Sequence, residues 1–320
     1  MGEALDRTRW VELVLACTLS IIFTISLFYL TFEIPRFLDE ILRQYFPDVF
    51  YDIEAREGIL GMLRPVGYSA MAITIALVAL GFAIRRGSMA FLGSLALYIP
   101  TFGYFAFAMF FLAGLGVLRV LWLPILDLSP SILTLGCIAY VPLLPLLSTP
   151  YIYVVGMAIT FAGLLVFSLG VATWLYGRFR GCEIVDFWMY RYSRHPQYLG
   201  YILWSYGLLV FISFKSYVRG AFTTPPSTIW LISTMIVVGI ALLEELEMAR
   251  KLGEKYEEYR RRTPFMIPLP KPLYRIVAWP MRKIVREYPT NAKDVLAIVA
   301  LYTAILIALS YAILLAITEF

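Results

Sequence analysis

The sequence predicts an all-α protein, a polytopic transmembrane helical bundle of seven or eight spans. Three observations predict it. Of 320 residues, 61% are hydrophobic and only 15% charged, against ~25% charged in soluble proteins. Several apolar runs approach or exceed the ~18 residues that read as a membrane span. None of these runs alternates as a barrel strand would, and backbone groups in lipid must be satisfied within the segment, which leaves helices.

The net charge is +5. Its basic residues gather beside the apolar runs, which points to membrane orientation and contact with anionic lipid, not to nucleic-acid binding. Cys17, Cys137 and Cys182 show no CxxC spacing, so neither a disulfide framework nor a metal site is expected.

Met1 to Arg9 leads directly into an apolar run with no small-residue cleavage site, so Trp10 to about Phe32 is expected to be a first span, not a cleaved signal. Ile34, Phe37, Leu38, Ile41, Leu42, Tyr45 and Phe46 then recur at helical spacing, which predicts a separate amphipathic surface helix over Pro35–Phe46. Val66–Ile84 reads as a second span, closed by Arg85 and Arg86. Ala90 to about Leu118 reads as a third, kinked at Pro100. Ile132–Leu147 is short and carries Pro142 and Pro145, so it spans poorly or re-enters. Tyr151 to about Tyr176 is a full span with Gly156, Ala158, Gly163, Ser168, Gly170 and Ala172 placed for close helix contact.

Arg178, Arg180, Arg191 and Arg194 put the next segment on the cytosolic side. Tyr198–Phe214 and Ile229–Leu243 follow as an antiparallel hairpin across a polar turn. Eleven Lys or Arg in residues 250–286 give the strongest cytosolic signal in the chain. Leu273–Val285 has the composition of an interfacial helix, and Val295–Ile317 is the last span. The parity does not close: Arg85–Arg86 and Arg178–Arg194 both favour the cytosol, yet three apolar segments lie between them. Residues 1–145 read as an N-terminal helical module, 146–270 as the functional core, and 271–320 as an interfacial helix with a closing span.

Two stretches carry chemistry. In Arg191–Gly207 the only histidine of the chain, His195, stands between Arg194 and Pro196. Proline favours the first helical position, so His195 sits at a helix start with free N–H groups and the positive end of the dipole. With Arg191 and Arg194 this suits an anionic group. Tyr198, Ile202 and Ser205 continue one face, and Gly200 and Gly207 permit close approach. In the second stretch Leu242, Glu245, Ala249, Leu252, Tyr256 and Tyr259 recur at steps of 3, 4, 3, 4 and 3, one face of a helix continuing out of the membrane. Glu245 is on that apolar face and needs a partner, Arg194, His195 or a cationic ligand. Glu244 falls off it. The hairpin brings both stretches to one membrane face, as two walls of a pocket open to the cytosol and bordering lipid.

These residues resemble the isoprenylcysteine carboxyl methyltransferase and phospholipid methyltransferase family of integral membrane enzymes. One half of the resemblance is an RHPxYxG motif, Arg194-His195-Pro196-Gln197-Tyr198-Leu199-Gly200, with Trp204-Ser205 and Gly207 beyond it. The other is Glu244-Glu245, then Leu252-Gly253 leading to Tyr256 and Tyr259, then Thr263-Pro264 and Pro268. It covers about residues 150–270. Leu252 replaces the family's phenylalanine, and Val185–Met189 replaces a small-residue turn. The resemblance implies S-adenosyl-L-methionine as methyl donor and S-adenosyl-L-homocysteine as product. It implies Arg194, His195 and Glu245 as catalytic residues, and Arg194, His195, Pro196, Tyr198, Gly200, Glu244, Glu245, Tyr256 and Tyr259 as the cofactor-binding set. The acceptor would be a lipid or lipidated molecule entering from the bilayer. A carboxylate acceptor needs no base; an amine or phenol would, and His195 is the ordinary candidate. Two other readings stay open: an NADPH-dependent sterol-reductase-like enzyme, and a non-catalytic lipid-binding membrane protein.

Overall fold

Apolar runs bounded by turn residues become long helices in the computed structural model, which describes residues 2–45, 53–105, 111–112, 115–147, 149–214, 225–285 and 288–318. In chain order these are α1 (Gly2–Arg43), α2 (Ile53–Ala83), α3 (Gly87–Phe105), a two-residue antiparallel pair β1 (Phe111–Leu112) and β2 (Leu115–Gly116), a 3-10 helix Val117–Trp122, and α4 (Leu123–Leu126). Further 3-10 helices cover Pro130–Thr134 and Cys137–Leu146. Then come α5 (Tyr151–Phe179), α6 (Met189–Tyr192), α7 (Pro196–Phe214), α8 (Ser227–Leu252), α9 (Glu254–Arg262), α10 (Lys271–Ala278), α11 (Met281–Ile284) and α12 (Ala292–Thr318).

Among the described residues, five segments are long and apolar enough to cross a membrane: Arg9–Arg43, Gly58–Ala83, Tyr151–Phe179, Ser227–Leu252 and Ala292–Ala316. Beside them lie α3 and α7, each 19 residues, about 28 Å at 1.5 Å per residue and so close to the ~30 Å hydrocarbon core. Cys137–Leu146 is different. Pro142 and Pro145 remove backbone donors, and ten residues of 3-10 helix reach only about 20 Å. Its neighbour Pro130–Thr134 is tied to the start of α8, where Ser227 and Thr228 hydroxyls donate to the Leu133 and Ile132 carbonyls at 3.2 and 2.5 Å. With this segment held at one face, only α3 and α5 lie between the two basic turns as membrane-length helices, which is the even number that the charges ask for. Arg85 lines one cleft with Glu244 and Arg250, and Arg180 lies 3.6 Å from Glu12 near the start of α1. The basic turns therefore share a face.

Two expectations are corrected. Pro35 does not begin a separate surface helix, because α1 runs through it to Arg43 as one 42-residue helix. The described part, to Tyr45, extends that helix and buries Asp39 beside Arg43 (2.7 Å); Phe46 lies outside the described residues. The third apolar segment ends as a helix at Phe105, before the β pair. The α7–α8 hairpin packs as expected, with Trp230 Nε1 donating to Ser205 Oγ at 3.1 Å. The small-residue face of α5 packs on the other side of α7: a Cβ at Gly163 would stand 2.3 Å from Trp204 N, and one at Gly200 would stand 2.4 Å from Phe167 N. Backbones this close exclude any side chain.

Trp204 fills the centre of the main core, its ring 4.3 Å from Phe28 and 5.4 Å from Phe102. One buried cluster joins Phe28, Tyr98 and Trp122 to Phe167, Trp204 and Ile229, so residues before and after 145 share it. Along α10, Leu273, Tyr274, Ile276 and Val277 are exposed, and so is Trp279 just beyond it. This is the surface an interfacial helix turns to lipid.

Candidate functional site

The N-terminal end of α7 and the C-terminal end of α8 meet at the membrane edge. α7 begins at Pro196, as its fixed φ favours. The turn before it is held by the Arg194 N–H, which donates to the Pro264 carbonyl (3.0 Å), and by the His195 N–H, which donates to Ser193 Oγ (3.2 Å). α8 does not continue outward. It stops at Leu252, where Gly253 adopts φ +55° and ψ −129°, a conformation that essentially only glycine tolerates. α9 restarts at Glu254, and the apolar face crosses the break: Glu245, Tyr256 and Tyr259 are all buried.

Arg194 and Glu245 form the centre. Arg194 Nε donates to Glu245 Oε1 at 2.5 Å and Nη2 to Oε2 at 3.2 Å. Nη1 donates to the carbonyls of Arg260 (2.5 Å) and Thr263 (2.8 Å). The two side chains are 5% and 1% exposed. A buried charge survives where it is paired and its remaining groups are hydrogen-bonded, and this pair meets that condition. The guanidinium is thereby committed to Glu245 and to the backbone after α9. It is a clasp between helices and has little left to offer a ligand.

His195 stands between two carboxylates. Its Nε2 is 3.3 Å from Glu245 Oε1 and its Nδ1 is 3.9 Å from Glu244 Oε2. A carboxylate only accepts, so the hydrogen bond to Glu245 assigns the proton to Nε2 and leaves Nδ1 as the free basic atom of the neutral ring. Glu244 is half exposed and accepts a hydrogen bond from Tyr198 Oη at 2.5 Å. Phe265 covers the other side, 5.1 Å from the His195 ring and 5.8 Å from the Arg194 guanidinium. The cluster thus offers one basic nitrogen and one accessible carboxylate, held by buried charges behind them.

Six expected residues come together here: Arg194, His195, Tyr198, Glu244, Glu245 and, one layer behind, Tyr256. Tyr259 serves further back, donating from Oη to the Tyr190 carbonyl at 2.8 Å. Burial pushes the phenols of Tyr190, Tyr256 and Tyr259 well above the usual tyrosine range. Pro196 and Gly200 face elsewhere. Pro196 Cγ is 3.2 Å from a Cβ built on Gly170, and Gly200 abuts Phe167, so both serve α5–α7 packing and not the pocket.

Several residues escaped the sequence reading. Phe265 and the Arg260 and Thr263 carbonyls complete the clasp, and only the Thr263-Pro264 tail hinted at them. Exposed ion pairs, Lys255–Glu183 at 2.7 Å and Arg262–Asp186 at 2.8 Å, tie α9 to the segment before α6. Lys255 holds the Glu183 carboxyl below the usual range. Trp188 has φ +46° and stacks on Tyr176 at 5.0 Å, so the unusual Val185–Met189 segment is a strained aromatic turn.

A family model matches residues 178–263. Its description is protein of unknown function (DUF1295). The matched stretch holds both halves of the site, from the turn before α7 to the Thr263 carbonyl that receives Arg194. No curated protein and no solved structure matches the chain.

Proposed function

We propose that the protein is an integral membrane methyltransferase. It would use S-adenosyl-L-methionine, release S-adenosyl-L-homocysteine, and methylate a lipid-borne or prenylated acceptor, an isoprenylcysteine carboxylate or a phospholipid amine. The observation that carries this reading is His195, held between Glu245 and Glu244 by two motifs fifty residues apart. Glu244 with Tyr198 offers polar atoms to the ammonium or a ribose hydroxyl of such a cosubstrate.

A bound sulfonium donor supplies an electrophilic methyl group. The chain's own residues do the rest. Arg194 fixes Glu245, Glu245 fixes the His195 ring through Nε2, and Nδ1 is thereby turned toward Glu244. For an amine acceptor, Nδ1 takes the proton lost as the new N–C bond forms; a carboxylate acceptor needs no such transfer. Methyl transfer is an in-line displacement, so positioning supplies much of the rate. The basic turns on the site's face orient it to the cytosol by the positive-inside rule. The donor then arrives from water and the acceptor sideways from lipid.

One observation favours a second reading. The Tyr198–Glu244 hydrogen bond beside His195 is also an arrangement that can protonate a carbon centre after hydride transfer from NADPH. Titrating the purified protein with S-adenosylhomocysteine and with NADPH, read as a thermal shift, separates the two. The methyltransferase reading expects stabilisation by S-adenosylhomocysteine and its loss in His195→Ala and Glu244→Gln. Stabilisation by NADPH alone overturns it.

A further inference from the structure

Along α8, adjoining the His195 site at Glu244, lies a cleft of about 400 Å³. Its walls come from α8 and from the turn between α2 and α3, outside the segment that the family model matches. Arg85 and Ser88 line one side; Glu244, Glu247 and Arg250 line the other; Leu243 is among the apolar residues that complete it.

The charges in this cleft are not equally committed. Glu247 is paired with Lys251 at 2.5 Å, and Glu244 already accepts a hydrogen bond from Tyr198. Arg85 and Arg250 have no side-chain partner among the described residues. Two guanidiniums with no partner among the described residues therefore line one space, with the Ser88 hydroxyl. The first turn of α3, which begins at Gly87, adds its positive dipole end on the same side. Planar guanidiniums with a hydroxyl and first-turn N–H groups match the oxygens of a phosphate. The cleft opens on the face that carries the basic turns, at the end of two membrane-length helices, and its apolar floor, Ile240, Leu243 and Leu246, belongs to the buried core. Arg85 itself holds φ +58°, a left-handed backbone that is uncommon outside glycine, and this aims the turn.

We infer that this cleft binds the phosphate of a lipid headgroup. It is a second subsite, built by the N-terminal helices against α8, and Glu244 joins it to the candidate catalytic pocket because that one carboxylate lines the cleft and also faces His195. The inference stands on the cleft's own charges. It rests on the methyltransferase reading only for the further role of presenting an acceptor to His195.

The test is a binding measurement without any methyl donor, so its failure is separate from failure of the enzymatic reading. Purified full-length protein in a neutral detergent is titrated with dihexanoyl phosphatidic acid, with dihexanoylglycerol, which lacks the phosphate, and with inorganic phosphate. The expected result is saturable phosphatidic acid binding and no saturation by the diacylglycerol. Arg85→Gly, which suits the left-handed turn, combined with Arg250→Gln should weaken it by about tenfold or more, since two charge-assisted contacts are lost. Arg86→Gln, adjacent but outside the cleft, should leave it unchanged. Circular dichroism and thermal unfolding of the double variant confirm that it folds; should it not, Ser88→Glu replaces it, placing a carboxylate where the phosphate would sit. Equal affinity for inorganic phosphate overturns the lipid assignment. Phosphatidic acid binding that is absent, or insensitive to these substitutions, overturns the site.

Discussion

Replacing Glu245 by alanine tests the clasp at the centre of the site. The change removes both acceptors of the Arg194 Nε and Nη2 groups, at 2.5 and 3.2 Å, and the acceptor of His195 Nε2 at 3.3 Å. Arg194 keeps its two carbonyl partners through Nη1, but its charge loses its counter-ion in a place where the side chain is 5% exposed. Breaking a buried pair in this way costs roughly 3–5 kcal/mol. With an unfolding entropy near 2.1 cal/mol/K per residue, that amounts to a Tm drop of roughly 4–8 °C for a chain of this length. The assay is thermal unfolding of the purified protein in detergent, run as a double-mutant cycle with Arg194→Met and Glu245→Leu. The apolar pair should recover much of the loss, because removing both charges also removes their desolvation cost. An unchanged Tm in Glu245→Ala would refute the clasp, and so would a double variant as destabilised as the sum of its singles.

Gly253→Ala should cost about 1–3 kcal/mol through backbone strain alone, since a Cβ there meets nothing within 4 Å; denaturant midpoints measure it. Gly200→Val should do more harm, forcing α7 from α5 at a point where even a Cβ would stand 2.4 Å from Phe167 N, and the yield of monodisperse folded protein reports it. Lys255→Ala should leave Tm unchanged, because both partners of the Glu183 pair are exposed. The raised phenols of Tyr190, Tyr256 and Tyr259 favour the protonated folded state, so their contribution is complete below about pH 10 and is lost as pH climbs toward the folded values. Tyrosinate absorbance and unfolding should therefore rise together in alkali, and Tyr256→Phe should blunt that coupling.

Much of this was legible in the residues. Hydrophobic length located the major helices, and Glu245 on an otherwise apolar face announced a buried partner before Arg194 could be placed beside it. The small residues of α5 forecast a close contact, though not that α7 would be the partner. What sequence could not supply was set by backbone geometry. Periodicity at Leu252–Tyr256 reads straight through Gly253, because the break rotates α9 without moving Tyr256 and Tyr259 off the buried side. Pro35 suggested a helix boundary, yet α1 continues through it to Arg43, with Thr31 and Asp39 buried on either side of the proline. Arg194 looked like a ligand for anions because the Arg260 and Thr263 carbonyls that occupy it carry no sequence signal. Gly200 looked like part of the pocket because a motif does not say which way a glycine faces.

The proposed activity is tested most directly in membranes. Membranes with and without this protein are incubated with methyl-labelled S-adenosylmethionine, and extracted lipids and lipidated peptides are read by mass spectrometry. A methylated membrane-borne product should form with the wild-type chain and fall sharply with Glu244→Gln and His195→Ala. Label absent from every lipid and lipidated species, or transferred equally by the His195→Ala and Glu244→Gln variants, would contradict a methyltransfer site at His195.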